Sequence, residues 1–262
     1  MIESMNKKVC VVTGASSGLG RATSIILAKK GAKLVLADRD NKGGEETLNL
    51  VISAGTEAVF QKTDVSKSGD VQALVQKTLD TFGRLDCAVN NAGIEGERNK
   101  IGDFSEAGWN QIIGINLTGV FLCMKYEIPA LIASGGGSIV NIGSTASISG
   151  VATMPAYVAA KHGVLGMTRT VAMDYGADNI RVNSVLPGSF RTPMSERLYG
   201  NDNIEDVVKS ITPLNRLGSA EECAEAVVWL CSDQSSWVSG AGLSVDGGSL
   251  SGQIIPGGVM PK

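Results

Sequence analysis

What most constrains this chain is a rhythm. Short, almost wholly apolar runs alternate with longer segments of helical period. The runs fall at residues 9–12, 33–37, 58–60, 85–89, 138–142, 180–186 and 243–245, and the main helical patterns occupy about residues 41–54, 71–82, 109–132 and 156–175. A strand that is apolar on nearly every residue has both faces covered, and helices between successive strands favour parallel pairing with right-handed crossovers. The expected fold class is therefore α/β: a doubly wound parallel sheet of about seven strands with helices on both faces. Ser219, followed three residues later by Glu222, marks one further helix start. No linker, internal repeat or low-complexity block breaks the rhythm, so residues 1–262 are expected to form a single domain.

Composition narrows the function classes. With 43% hydrophobic and 19% charged residues the chain can bury enough surface to be globular. A net charge of -3 provides no basic field, so nucleic acid is not an expected partner. The five cysteines (Cys10, Cys87, Cys123, Cys223, Cys231) contain no C-x-x-C, and His162 is the sole histidine; neither a disulfide framework nor a metal site is expected. Residues 128–160 carry no charge, but Gly135, Gly136, Gly137, Pro155 and many Ser and Thr break the stretch up, so it is not read as a membrane span, and burial or a ligand-facing surface is expected instead. The N-terminal Met-Ile-Glu-Ser-Met-Asn-Lys-Lys shows no apolar core of a secretory signal, and a cytoplasmic setting is expected.

Two stretches carry candidate chemistry. The first, Thr13-Gly14-Ala15-Ser16-Ser17-Gly18-Leu19-Gly20, joins the first strand to the first helix. Its glycines permit tight turning and close approach, and the helix N-terminus offers free N–H groups to a pyrophosphate. Asp38 follows the second strand, 38 − 20 = 18 residues past Gly20. A carboxylate there accepts bonds from ribose hydroxyls and repels a 2′-phosphate, which favours NAD over NADP. Arg39 next to it pulls the other way, because an arginine can pair with a 2′-phosphate.

The second stretch, Tyr157-Val158-Ala159-Ala160-Lys161, places Tyr and Lys four apart, on one face of a helix. A phenol with a pKa near ~10 is a poor base at neutral pH. A neighbouring ammonium stabilises the phenolate and makes proton exchange with an alcohol or carbonyl feasible. Ser144 lies 157 − 144 = 13 residues earlier, just past the fifth strand, at the sheet edge where ligands bind. Asn116 sits inside a helical pattern although Asn is a poor helix former; it is either solvent-facing or a local disturbance that holds a water.

These residues together resemble the short-chain dehydrogenase/reductase family in its single-domain, Rossmann-type form, over about residues 7 to 250. The family's T-G-x-x-x-G-x-G matches Thr13 to Gly20, with Gly14, Ser16, Ser17, Gly18 and Leu19 toward the cofactor. Its N-N-A-G matches Asn90, Asn91, Ala92 and Gly93, and Asp64 with Val65 matches the adenine contact. The resemblance implies a tetrad of Asn116, Ser144, Tyr157 and Lys161: Tyr157 as general acid/base, Ser144 polarising the substrate oxygen, Lys161 on the nicotinamide ribose, Asn116 holding a relay water. Pro187, Gly188, Phe190 and Thr192 match P-G-x-x-x-T, with Thr192 at the carboxamide. Gly143, where many members carry a second serine, and Phe190, where a smaller aliphatic is common, depart from the pattern.

The expected activity is NAD-dependent interconversion of a secondary alcohol and a ketone. An NADPH-dependent 3-oxoacyl reductase and a catalytically silent dinucleotide sensor are the alternatives. Residues 194–214 are expected to form a substrate lid, with Met194, Leu198 and Tyr199 as a partly apolar wall. Ile94, Val151 and Met154 complete the expected pocket for a small or medium cyclic or aryl substrate. Glu95 is expected to be an exposed loop carboxylate, and His162 to serve packing or surface. The resemblance implies a homotetramer, and the tail 253–262 is expected to reach toward a neighbouring site.

Overall fold

A computed structural model describes residues 5–199 and 204–252. The expected tail at 253–262 and the middle of the expected lid at 200–203, together with the Tyr199 side chain, lie outside the described residues.

Among the described residues, seven strands form one parallel sheet: β1 (Val9–Thr13), β2 (Lys33–Asp38), β3 (Ala58–Lys62), β4 (Cys87–Asn90), β5 (Gly137–Ile142), β6 (Ile180–Pro187) and β7 (Gly242–Val245). Their spatial order is β3-β2-β1-β4-β5-β6-β7, so the winding reverses between β1 and β4. Helices α1 (Gly18–Lys29), α2 (Asn41–Ser53), α3 (Ser68–Phe82), α4 (Glu106–Ile113), α5 (Gly119–Ala133), α6 (Pro155–Asp174), α7 (Pro193–Tyr199), α8 (Ile204–Ile211) and α9 (Ala220–Cys231) connect them. The apolar runs foreseen from sequence are the sheet. Every residue of β1 and β4 is buried.

Each face of the sheet has its own core. On one face Cys10, Val12, Leu34 and Leu36 pack against α1 and α9; on the other Val11, Val35, Ala88 and Ile139 pack against α3, α5 and α6. Alternate residues of a strand point to opposite faces, so β1 feeds both cores. Each fully buried Val or Leu contributes about 1.5–3 kcal/mol. All five cysteines are buried free thiols.

One departure refines the sequence reading. The long pattern at 109–132 is interrupted: Gly114–Thr118 forms a single π-helical turn between α4 and α5. Such an insertion is often found at functional sites. The stretch Glu106–Ala133 is long and apolar enough to cross a membrane, but more than half of its most apolar window is buried within the fold. Helix α6 begins with Pro155 in its first turn, where the missing N–H costs nothing. At the α9 start the foreseen capping box is present: Ser219 Oγ accepts from Glu222 N at 3.3 Å, and Ser219 N donates to Glu222 Oε2 at 2.9 Å.

Candidate active site

The site opens where the winding reverses, outside the carboxyl ends of β1 and β4, which is where open α/β sheets bind ligands. Buried Thr13 stitches these ends together. Its Oγ1 accepts from Asn91 N at 3.0 Å and Ala92 N at 3.1 Å, and donates to Val89 O at 3.4 Å. Asn91 Nδ2 returns two bonds, to Thr13 O at 2.9 Å and Gly14 O at 3.0 Å. Gly14 has φ +66°, and a Cβ there would lie 2.7 Å from Asn91 Nδ2; a Cβ on Gly20 would overlap the Gly14 carbonyl oxygen. Both glycines are therefore demanded by packing as well as by a ligand.

The N-terminus of α1, like those of α3 and α6, has no side-chain cap. Asp40, Ser105 and Ser219 cap α2, α4 and α9 through their side chains, whereas Ser17 makes no such bond and the first turn of α1 holds no acid. Its N–H groups and its positive dipole end are left for an anion. The residues present thus fit a dinucleotide pyrophosphate.

Asp38 closes the adenosine side. Its Oδ2 accepts from Ser16 N at 3.0 Å and its Oδ1 from Asp40 N at 3.0 Å, which fixes the carboxylate beside the glycine loop. Each oxygen keeps a lone pair for a ribose hydroxyl. Asp38, Arg39, Asp64, Val65, Ala92, Gly93 and Ile94 line one cleft with Gly14. The Ser66 hydroxyl, 2.6 Å from Asp64 Oδ1, holds the Asp64 carboxyl below its usual range, with smaller contributions from Lys67 and Arg39. Arg39 is exposed and acts on Asp64, whereas Asp38 is bound to the loop itself. A residue that the sequence reading passed over, Arg21, clamps the same region. Its guanidinium donates to Ser16 O, to Gly43 O at 3.2 Å and to Thr47 Oγ1 at 2.8 Å.

The four tetrad residues stand on three segments around this cleft. Lys161 is 4% exposed, donates from Nζ to Ile142 O at 2.7 Å at the end of β5, and lies 5.6 Å from the Tyr157 ring centroid. Burial pulls the ammonium down to about 8. Ser144 begins the single 3-10 turn after β5, and its Oγ accepts from Ala146 N at 3.1 Å. That bond uses one lone pair and leaves the hydroxyl proton available for a substrate oxygen. Asn116 is fully buried in the π turn, and its amide is spent on one residue: Oδ1 accepts from Ile94 N at 2.9 Å and Nδ2 donates to Ile94 O at 2.8 Å. The solvent-facing reading of Asn116 is overturned. The disturbed-helix reading holds, and what the side chain secures is the Gly93–Ile94 backbone beside the cleft. Gly143 has no room for the second serine, since a Cβ would come 2.6 Å from Leu186 and 2.8 Å from both Ser147 and Ser184.

On the cofactor's far side, Pro187 ends β6, and a Cβ on Gly188 would lie 2.7 Å from Asp246. Thr192 faces Gly18, with its Cβ 3.5 Å from where a Gly18 Cβ would be. Thr192 Oγ1 also accepts from Ser195 N at 3.2 Å, so the residue opposite the glycine loop caps α7. The Phe190 ring lies against Gly218 and packs on the core that includes α9.

The substrate side is less uniform than expected. Ile94, Met194 and Leu198 are half-buried, Val151 is exposed and Met154 is 5% exposed, packed under the start of α6. Asn99 N donates to Thr153 O at 2.8 Å, tying the loop after β4 to the loop before α6. Glu95 is not an exposed carboxylate. Its side chain is 16% exposed and takes two bonds from the Arg197 guanidinium of α7, which holds it below its usual range. Arg98 Nη1 adds a bond to Leu198 O at 3.2 Å. Sequence gave no sign of this pair, because its members are 102 residues apart. His162 is on the surface, its Nδ1 3.0 Å from Val158 O.

Residues 14–249 match the family described as enoyl-(acyl carrier protein) reductase. Among similar proteins, cyclohexanol dehydrogenase of Acinetobacter sp. strain SE19 is 40% identical over 247 residues, 94% of this chain and 96% of that protein. The 2,5-dichloro-2,5-cyclohexadiene-1,4-diol dehydrogenase of Sphingobium indicum is 44% identical over 93% of this chain and 97% of its own. Carveol dehydrogenase of Mycobacterium avium, solved with NAD, superposes with a TM-score of 0.92 at 31% identity, covering 95% of this chain and 100% of that one. A putative 2-deoxy-D-gluconate 3-dehydrogenase of Agrobacterium tumefaciens, solved with NADP, gives 0.86 at 35%, covering 95% and 98%. The chain belongs to the short-chain dehydrogenase/reductase family. It is an oxidoreductase of the alcohol-dehydrogenase kind, built to bind a nicotinamide dinucleotide.

Proposed function

We propose that this enzyme uses NAD to interconvert a secondary alcohol on a small or medium alicyclic ring with its ketone. The carrying observation is the Lys161–Tyr157 pair beside Ser144, reached across a cleft whose adenosine end is closed by Asp38. Bound nicotinamide supplies the hydride acceptor or donor. Tyr157 takes the alcohol proton at its phenolic oxygen, or returns it to the ketone. The Lys161 ammonium favours the phenolate electrostatically, and Ser144 donates its free hydroxyl proton to the substrate oxygen. Asn116 spends its side chain on the Ile94 backbone at the cleft, so a relay water near it would be held by main-chain groups of the π turn.

The carboxylate of Asp38 disfavours a 2′-phosphate and supports NAD over NADP and over the 3-oxoacyl reductase reading. The complete tetrad speaks against a silent sensor. Ile94, Met194 and Leu198 are apolar, and Glu95 and Arg197 neutralise each other, so the pocket suits an uncharged ring. The ring-bearing substrates in the names of the two relatives support the same class. A screen of alicyclic and acyclic secondary alcohols with NAD and with NADP, followed by NADH absorbance, tests this. Turnover confined to acyclic alcohols, or a preference for NADP, would overturn it.

A cytoplasmic homotetramer is proposed with it. Five free thiols suit a reducing compartment, and exposed Trp109, Phe121 and Met173 on α4, α5 and α6 suit burial against other copies. Light scattering that gave a monomer at assay concentration would remove the tetramer.

A further inference from the structure

Glu127 on α5 is a carboxyl out of reach of water. It is 1% exposed, its Oε2 accepts from Asn90 Nδ2 at 3.1 Å, and its Oε1 is buried with no partner among the described residues. Asn90 carries the matching defect. Its Nδ2 is used twice, on Glu127 Oε2 and on Asn141 Oδ1 at 3.0 Å, while its Oδ1 is buried with no partner among the described residues. Two orphaned acceptors on one hydrogen-bonded pair leave the full desolvation cost of both uncompensated. A proton on Glu127 mends both faults, because it converts an acceptor into the O–H donor that Asn90 Oδ1 lacks.

We propose that the folded enzyme holds a proton on Glu127 that serves the Asn90 amide oxygen directly or through one internal water, and that losing this proton as pH rises loosens the ends of β4 and β5 and sets an upper pH limit on cofactor binding.

The route to the site is short. Asn90 and Asn141 are register partners across β4 and β5. The residue after Asn90 is Asn91, which grips Thr13 and Gly14; the residue after Asn141 is Ile142, whose carbonyl anchors Lys161. Asn141 Nδ2 also donates to Thr168 Oγ1 at 3.0 Å, extending the network to α6. Glu127 is thus a positioning residue that acts through two amides on both halves of the site.

The surroundings favour the neutral form. β4 and β5 present the amides of Asn90 and Asn141, and α6 extends the network with the Thr168 hydroxyl. The titratable group that feels Glu127 on its own helix is Cys123, whose thiol is pushed up by burial and then by the Glu127 charge. Burial raises the Glu127 carboxyl to about 7, opposed by the Asn90 bond. A raised acid contributes stability that is complete below the ordinary carboxylate range and is lost as pH rises through about 7.

The test is Glu127→Gln, which keeps the accepting oxygen and replaces the O–H with an N–H donor. The wild-type Tm should fall by several degrees relative to E127Q between mildly acidic and alkaline pH. The wild-type KM for NAD should rise severalfold over the same range while that of E127Q changes less. Lys161 titrates in both proteins, so the difference between the profiles isolates Glu127. The infrared spectrum at acidic pH should contain a protonated-carboxyl band that E127Q lacks and that alkali removes. A second variant, Glu127→Met, fills the volume but supplies no donor, and should melt below E127Q at every pH. Superimposable profiles, no carboxyl band lost on substitution, or a methionine variant as stable as E127Q would each overturn the proposal. The Tm and infrared arms do not depend on the assigned reaction, so their failure is distinguishable from its failure.

Discussion

The two halves of the site are held by different kinds of bond. On the cofactor side, Thr13, Asn91, Asp38 and Arg21 spend their polar groups largely on main-chain partners, most of them buried or half-buried. On the substrate side, Glu95 with Arg197 and Arg98 with Leu198 O are contacts of exposed arginines. A buried bond to backbone is costly to break and fixes one geometry. An exposed ion pair is worth about 0–1 kcal/mol and is screened by salt. The cofactor half is therefore a fixed mould, and the substrate half a surface that can part and rejoin.

That contrast breaks most visibly at Tyr157. Tyr157→Phe keeps the ring and removes the proton carrier. General acid–base catalysis contributes about 10²–10⁴-fold, so kcat should fall by that factor while NAD affinity stays near wild type. Loss of NAD affinity in step with kcat would mean that the fixed half depends on the phenol.

Next in size is Asp38→Ala. Hydrogen bonds to a charged group are worth about 1.5–3 kcal/mol, so kcat/KM with NAD should drop by about ten- to a hundredfold, and the ratio of NAD to NADP activity should shift toward NADP. An unchanged ratio would show that Arg39 sets the preference.

Lys161→Met separates stability from function. Burial lowers the lysine below its ordinary value, to about 8. The unfolded chain therefore binds the proton more readily, and the folded protein carries a cost that is full below about 8 and fades as pH rises toward the ordinary lysine range. K161M removes that cost. It should be almost inactive yet melt a few degrees higher than wild type below pH about 8, the gap closing in alkali. A lower Tm at neutral pH would mean that the Ile142 bond outweighs desolvation.

The fixed half was the legible half. Glycines at 14, 18 and 20, the carboxylate at 38 and the Tyr–Lys spacing of four are local patterns, and the strand rhythm set where they meet. Asn116 was legible as a misfit in a helix, though its bond to Ile94 was not, because it joins residues 22 apart through a main chain. Glu127 sat within the apolar pattern around residues 109–132 and drew no attention. Its meaning arises from Asn90, 37 residues away, and from burial that only the packed helices create. The packing of the Phe190 ring against Gly218 was not legible either, because it joins residues far apart in the chain. The Glu95 expectation failed because nothing near it in sequence foretold Arg197.

That pair supplies the smallest expected effect and the sharpest test of the contrast. Arg197 holds Glu95 below its usual range, so the contact persists through neutral pH and is lost only as acid protonates the carboxyl. With Arg197 mostly solvated, the pair's contribution stays within about 1 kcal/mol, which caps the change in substrate KM at roughly fivefold. Arg197→Met should raise substrate KM by up to that factor, leave the affinity for NAD unchanged, and remove most of the salt dependence of KM. The exchange Glu95→Arg with Arg197→Glu should restore part of the loss, because the attraction is preserved in reverse. The loop that carries Glu95 starts at Ile94, which buried Asn116 holds by two bonds, so the strain of opening falls on α7 and leaves the tetrad in place. If Arg197→Met instead weakened NAD and substrate equally, the exposed half would be part of the mould.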